Sequence, residues 1–232
     1  MAESFESFPV ILGWELTLAC NLRCRHCASA AGEPRPNELT VDEALNLCDQ
    51  LPSLLVMELV FTGGEPLISP HWEKIAKRLQ DLGIRTGMVT NGTSLSDGTI
   101  ERLLDAGVTA LAISLDGEPD THDFMRGVSG LHQRVVAGIE RVLKAGLRVT
   151  VITTVNRRSI RELHSMQHRL QSIGVKRWQL QPVFGFGRMQ ESQNLLLSDA
   201  DYIELGRFIK SSMAACEEGQ LQAGAGAGRA AR

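Results

Sequence analysis

Three thiols stand in one short segment, Cys20-Asn21-Leu22-Arg23-Cys24-Arg25-His26-Cys27, directly after an apolar run. Thiolates are soft donors that hold zinc or iron-sulfur centres, and a centre that only supports a fold or carries electrons takes four protein ligands. Here the local set stops at three. Three cysteines leave one iron of a 4Fe-4S cluster without a protein ligand, and an open coordination position is what lets a metal centre do chemistry. His26 lies between two of the thiols, but Arg25 and Cys27 beside it leave it little freedom to reach the same metal, so it reads as a non-ligand. His164 and His168 have the i, i+4 spacing of a metal pair without a third ligand nearby, which marks a solvated helix face. No Ser/His/Asp triad can be assembled from local motifs.

The elements that must position these thiols alternate regularly. Strands are predicted over residues 10–18, 56–62, 85–90, 108–115, 147–155 and 176–183, and a helical pattern follows each. Thr40 with Glu43 three residues on is a capping box, and Ser96 and Ser198 are further N-caps. Residues 118–130 read as a loop before the fourth helix. Cys48 falls on an apolar helix position, so it reads as a small core hydrophobe, and Trp14, Trp72 and Trp178 read as packing residues. Strand-helix alternation with apolar strands predicts parallel strands covered by helices. Six such units fall short of the eight of a full barrel, so the expected fold is α/β, an incomplete (β/α)6 TIM-type barrel with parallel strands, with an open doubly wound sheet as the alternative. Residues 1–9 are taken as an N-terminal extension, 10–217 as the core and 218–232 as a Gly/Ala-rich flexible tail.

Composition narrows the function classes. The 232 residues carry a formal net charge of -3, with basic and acidic side chains interspersed, so no basic field for nucleic acid exists. No stretch reaches the length of a membrane span, and five cysteines, three of them in one loop, do not form a secreted disulfide framework. The expected compartment is the cytoplasm, with neither nucleic acid nor membrane as partner.

In parallel α/β folds ligands sit at the carboxyl ends of strands. Each strand here ends in an unusual segment: the cysteine loop, Gly63-Gly64-Glu65-Pro66, Thr90-Asn91-Gly92-Thr93, Ser114-Leu115-Asp116-Gly117, Thr154-Val155-Asn156 and Gly185-Phe186-Gly187-Arg188. The C-x3-C-x2-C loop followed by Gly-Gly-Glu-Pro after the second strand resembles the radical S-adenosylmethionine (radical SAM) superfamily, over roughly residues 10–208. The resemblance implies that Cys20, Cys24 and Cys27 hold a 4Fe-4S cluster whose free iron binds S-adenosylmethionine. An electron from the reduced cluster then yields a 5'-deoxyadenosyl radical that abstracts hydrogen from a substrate. Gly63, Gly64 and Glu65 would hold the cofactor's ammonium. Ser114 and Asp116 would meet its ribose or methionyl end, and Asn91 and Asn156 would contact it or brace neighbouring loops. Arg126 would pair with its carboxylate as a bidentate donor, and the 185–187 turn would approach adenine. No catalytic side chain beyond the cluster ligands is identified.

The motifs look most like the subgroup of SPASM and twitch-type maturases, which modify peptides or act in pyrroloquinoline quinone or heme d1 assembly. Those enzymes carry auxiliary-cluster cysteines in C-terminal extensions, and no cysteine follows Cys216 here. The implied function is hydrogen abstraction in the maturation of a peptide, with a tetrapyrrole or other small-molecule modifier as the alternative. From other classes, a non-catalytic metal-binding scaffold or a peptide-binding partner remains. The implied partners are a peptide or small-molecule substrate and an electron donor such as flavodoxin or ferredoxin.

Overall fold

A parallel sheet with sequential strand order carries the site. The computed structural model describes residues 10–216 and 222–225, and the expected N-terminal extension and most of the expected tail lie outside them. Six strands, β1 (Ile11–Thr17), β2 (Glu58–Gly63), β3 (Arg85–Thr90), β4 (Val108–Ser114), β5 (Arg148–Val155) and β6 (Arg177–Pro182), each pair in parallel with the next. A short seventh strand, β7 (Gln222–Ala225), adds in parallel to β6, where a flexible tail was expected. Its Gln-Ala-Gly-Ala sequence has no strand periodicity; the pairing comes from the free edge of β6, which no local pattern reveals.

The order excludes the doubly wound alternative. That arrangement needs a reversal in strand order, whereas here every new strand is laid on the same side of the last. Crossovers of one hand then put all helices on one face and leave the other concave, as in a barrel that has not closed. The β5 residues show the division. Val149, Val151, Thr153 and Val155 are buried, while Thr150, Ile152 and Thr154 between them are only half-buried and face the concavity. Only one strand face is therefore sealed by helices, where continuous apolar strands suggested two.

Among the described residues seven α-helices occupy the outer layer: α1 (Val41–Gln50), α2 (Trp72–Asp81), α3 (Asp97–Asp105), α4 (Pro119–Arg126), α5 (Leu131–Lys144), α6 (Leu163–Ser172) and α7 (Asp199–Cys216). The capping box opens α1 as its spacing predicts, with Thr40 and Glu43 exchanging bonds. Ser96 caps α3 by accepting from Thr99 N, and Ser198 accepts from Asp201 N at the start of α7. Helix α4 stands inside the segment expected to be loop. Pro119 in its first turn and left-handed Gly127 at its end delimit two turns too short to show a clear apolar period.

Side chains from the sheet and helices interlock between the layers, with Phe61, Ile113, Val151, Ile139 and Cys48 fully buried. Each large apolar side chain withdrawn from water contributes about 1.5–3 kcal/mol. Trp178 is buried too, and its indole N–H donates to Thr153 Oγ1 at 2.8 Å, which donates in turn to Leu115 O at 2.6 Å. Trp72 joins the same core, and Trp14 packs edge-on against Phe61. Among the described residues no helix is long and apolar enough to cross a membrane.

Candidate functional site

The cysteine loop leaves β1 and is fixed by the backbone. Cys20 N donates to Gly32 O at 3.0 Å and Gly32 N to Leu18 O at 2.9 Å, closing the loop at its base. Arg25 N donates to Met125 O of α4 at 2.8 Å. Arg188 holds it from the turn after β6: its Nε donates to Cys24 O at 2.8 Å and its Nη1 to Ala31 O at 2.9 Å. Below, the Glu38 carboxylate accepts from Leu18 N and Thr17 Oγ1, both at 2.8 Å. Leu22 and Cys24 belong to the buried core, so the loop is part of the packed interior rather than an external appendage.

Gly63 and Gly64 bring the end of β2 against this loop. Gly64 N donates to Thr17 O at 2.7 Å and Glu65 N to Ala19 O at 2.8 Å. A Cβ on Gly63, whose φ is +133°, would stand 2.2 Å from Thr17 O, and one on Gly64 would stand 2.0 Å from Ala19 O. Only glycine permits that approach.

The strand ends enclose one cleft of about 580 Å³, bordered by Cys20, Cys24 and Cys27, by Gly63 and Gly64, and by Asn91, Ser114 and Arg126. Eight of the residues singled out from the sequence are thus brought together. Three are not on its wall: Glu65, Asp116 and Asn156 are fully buried behind it. Glu65 accepts from Leu67 N at 3.2 Å, Thr90 Oγ1 at 2.8 Å and Asn91 N at 2.7 Å, so its carboxylate shapes the turn that presents Asn91. Burial raises the Glu65 carboxyl above its ordinary range in spite of those donors. Asn156 accepts from Arg158 N and Ser159 N and serves its own turn. The sequence assigned these three to the cofactor; in the structure their side chains are taken up by buried donors of the protein itself.

Asp116 is occupied as well. Its Oδ2 accepts from Arg126 Nε at 2.6 Å and faces His26 Nε2 at 3.2 Å, and its Oδ1 accepts from Thr154 N at 3.0 Å. Burial works to raise this carboxyl, but Arg126, then His26 and His122, overcome it and hold it well below the usual carboxylate range. Burial pushes His26 down to about 4 against the pull of Asp116, so the ring is neutral at pH 7. His26 borders the cleft with its Nε2 toward Asp116. Arg126 spends Nε on Asp116 and sets Nη1 3.7 Å from Cys24 Sγ. A bidentate grip through those two groups is therefore already taken, and only Nη2 remains unassigned among the described residues.

The donor set fits an iron-sulfur cluster. Each sulfur accepts an N–H: Cys20 from Leu22 N at 3.4 Å, Cys27 from Ala31 N at 3.4 Å, and Cys24 from Arg126. Donors of this kind stabilise charged cluster thiolates. Among the described residues no three His, Cys, Asp or Glu side chains converge on a single ion; the three thiols border a common space instead.

Thr154, Gln181, Phe184, Phe186 and Arg188 also border the cleft; Thr154 and the 185–188 turn belong to strand endings named from the sequence, whereas Gln181 and Phe184 carried no signal there. The alternation of β5 held the signal for Thr154. Phe184 and Phe186 are exposed large apolar residues, and His164 packs edge-on against Phe208.

Residues 14–169 match the model of the Radical SAM superfamily. The AdoMet-dependent heme synthase of Methanosarcina barkeri is 38% identical over 196 residues, 84% of this chain and 56% of that protein. The sporulation killing factor maturation protein SkfB of Bacillus subtilis is 27% identical over 203 residues, 87% of this chain and 49% of that protein. In fold, the chain is similar to the crystal structure of Streptococcus suis SuiB bound to precursor peptide SuiA, with a TM-score of 0.79 at 17% identity, covering 95% of this chain and 49% of that one. The chain spans about half the length of the curated relatives it matches.

Proposed function

The chain belongs to the radical SAM superfamily, and from that premise we propose that it cleaves S-adenosylmethionine reductively at a 4Fe-4S cluster and uses the 5'-deoxyadenosyl radical to abstract hydrogen from an organic substrate. The observation that carries this reading is the single cleft shared by three N–H-bonded thiols and the Gly63-Gly64 backbone.

The chain's own residues supply binding and orientation. Cys20, Cys24 and Cys27 hold the cluster. The close-packed Gly63-Gly64 backbone offers carbonyls to a cofactor ammonium, and Glu65 contributes by fixing the neighbouring turn. Ser114 offers a hydroxyl, and Asn91 braces the cysteine loop through Asn21 Oδ1 at 2.8 Å while bordering the cleft. Arg126 Nη2 is the donor available to a carboxylate.

For the substrate, the higher identity to a heme synthase supports a tetrapyrrole, which the exposed faces of Phe184 and Phe186 and the guanidinium of Arg188 at the cleft suit as flat and cationic contacts. Maturation of a peptide is the second reading, supported by the identity to SkfB. A low-potential donor such as flavodoxin or ferredoxin supplies the electron, and the cytoplasm is the compartment we assign.

Anaerobic reconstitution with iron and sulfide tests the site. A 4Fe-4S spectrum that shifts on adding S-adenosylmethionine is expected; stoichiometric zinc without iron uptake overturns the reading. Formation of 5'-deoxyadenosine after reduction tests the reaction, and absorbance titration with a propionate-bearing iron porphyrin tests the substrate class.

A further inference from the structure

One residue behind the cleft, Asp116, meets three other segments: α4, the cysteine loop and β5. Asp116 accepts from Arg126 Nε on Oδ2, which also lies 3.2 Å from His26 Nε2, accepts from Thr154 N on Oδ1, and donates its own N–H to His122 Nδ1 at 3.1 Å. The guanidinium aimed by this carboxylate lies 3.7 Å from Cys24 Sγ. Asp116 is fully buried and Arg126 is 8% exposed, so water screens both charges only weakly. The three sulfurs are unequal in this respect. Cys20 and Cys27 accept from backbone N–H groups, with the neutral amide of Asn91 4.0 Å from Cys20, whereas Cys24 faces a full positive charge.

Reduction of a thiolate-bound cluster adds one negative charge. A fixed cation at a ligand sulfur stabilises the reduced form more than the oxidised form, and a fixed anion does the reverse. We propose that the Arg126–Asp116 pair sets the reduction potential of the centre held at Cys24. Arg126 raises the potential through the sulfur, and Asp116 aims Arg126 and limits the rise. The inference rests on the reading that the three thiols hold a 4Fe-4S cluster. In the step concerned, the cluster accepts one electron from an external low-potential reductant, no bond forms or breaks, and no proton moves. Arg126 acts through Cys24 and is in this respect a positioning residue, whether or not Nη2 also meets a cofactor.

The two charges act in opposite directions, which separates this role from a structural one. The midpoint potential of the reconstituted protein, without S-adenosylmethionine, is read from EPR amplitude in a redox titration. R126Q is expected to lower it and D116N to raise it. R126Q leaves Asp116 buried without its counter-charge, so the R126Q/D116N double variant keeps the test open should the single variant fail to fold: it is expected to titrate below D116N. Unchanged potentials in D116N and in the double variant, with the cluster fully loaded, overturn the inference and leave the reading of the site standing. Failure of the wild-type protein to take up iron and sulfide overturns that reading, and this inference with it.

Discussion

Replacing Gly64 by alanine tests how the cleft is built. The added methyl would sit 2.0 Å from Ala19 O and 2.6 Å from Leu18 O, all backbone that cannot swing aside. Ordinary carbon–oxygen contacts are about 3.3 Å or more, so one chain segment must retreat by roughly an ångström. Ala19 O accepts from Glu65 N at 2.8 Å and Leu18 O from Gly32 N at 2.9 Å, and both bonds lengthen when it does. Overpacking costs about 1–3 kcal/mol, and two weakened hydrogen bonds add about 0.5–1.5 kcal/mol each. Gly64→Ala is therefore expected to lose about 4 kcal/mol in urea unfolding of the metal-free protein, a large part of the 5–15 kcal/mol typical of a domain. Because Cys20 follows Ala19 directly, iron bound per chain after reconstitution should fall as well. Gly98→Ala is the control. It lies in the first turns of α3 with nothing within 4 Å of the added Cβ, and should stabilise the protein by about 0.5–1 kcal/mol. A Gly64→Ala protein within about 1 kcal/mol of wild type, by the overpacking scale, and with full iron content would refute the reasoning.

Burial holds His122 down to about 4 from its ordinary 6.5. Between those values the unfolded chain binds the proton and the folded chain does not, so this contribution is fully present above pH 6.5 and is lost as pH falls toward 4. The difference amounts to roughly 3 kcal/mol. His122→Asn, whose side-chain oxygen can still accept from Asp116 N, should flatten this acid limb in unfolding titrations of the metal-free protein; an unchanged slope would count against the buried neutral ring. Asp116, held below the carboxylate range, loses its stabilising share only at still lower pH. Thr153→Val leaves the buried indole N–H of Trp178 without its acceptor and should cost about 1–3 kcal/mol in denaturant unfolding. Cys24→Ala should abolish cluster incorporation, measured as iron and sulfide per chain, and should also destabilise the metal-free fold measurably, because Cys24 packs in the core.

The parts of the site that are local in sequence were legible in it. The spacing of the thiols, the turn glycines and the strand-helix alternation each express their chemistry within a few residues, and all reappear in place. What acts across the chain was not. Arg188 reaches the cysteine loop from 164 positions away, and no spacing rule marks an arginine that will donate to carbonyls there. Glu65 and Asp116 were singled out as acceptors, but a sequence shows that a carboxylate exists and not which way it turns. Both face buried donors, so they act on the cleft indirectly. Helix α4 was hidden for a related reason. Its eight residues are held by Pro119, Gly127 and contacts with the cysteine loop rather than by a periodic apolar face of their own.

The pinning of that loop has a consequence for the life of the centre it would hold. In small zinc modules the metal's binding energy is the folding energy, and removing the ion dissolves the site. Here carbonyls and amides of β1, β2, α4 and the Arg188 turn fix the thiol-bearing backbone without any contribution from a metal. Assembly and metallation are therefore expected to be separable events, so that the chelated protein keeps the unfolding transition of the loaded one. A cluster destroyed by oxygen or withdrawn by a chelator would leave behind a receptive vessel, and repair would be a matter of refilling rather than refolding.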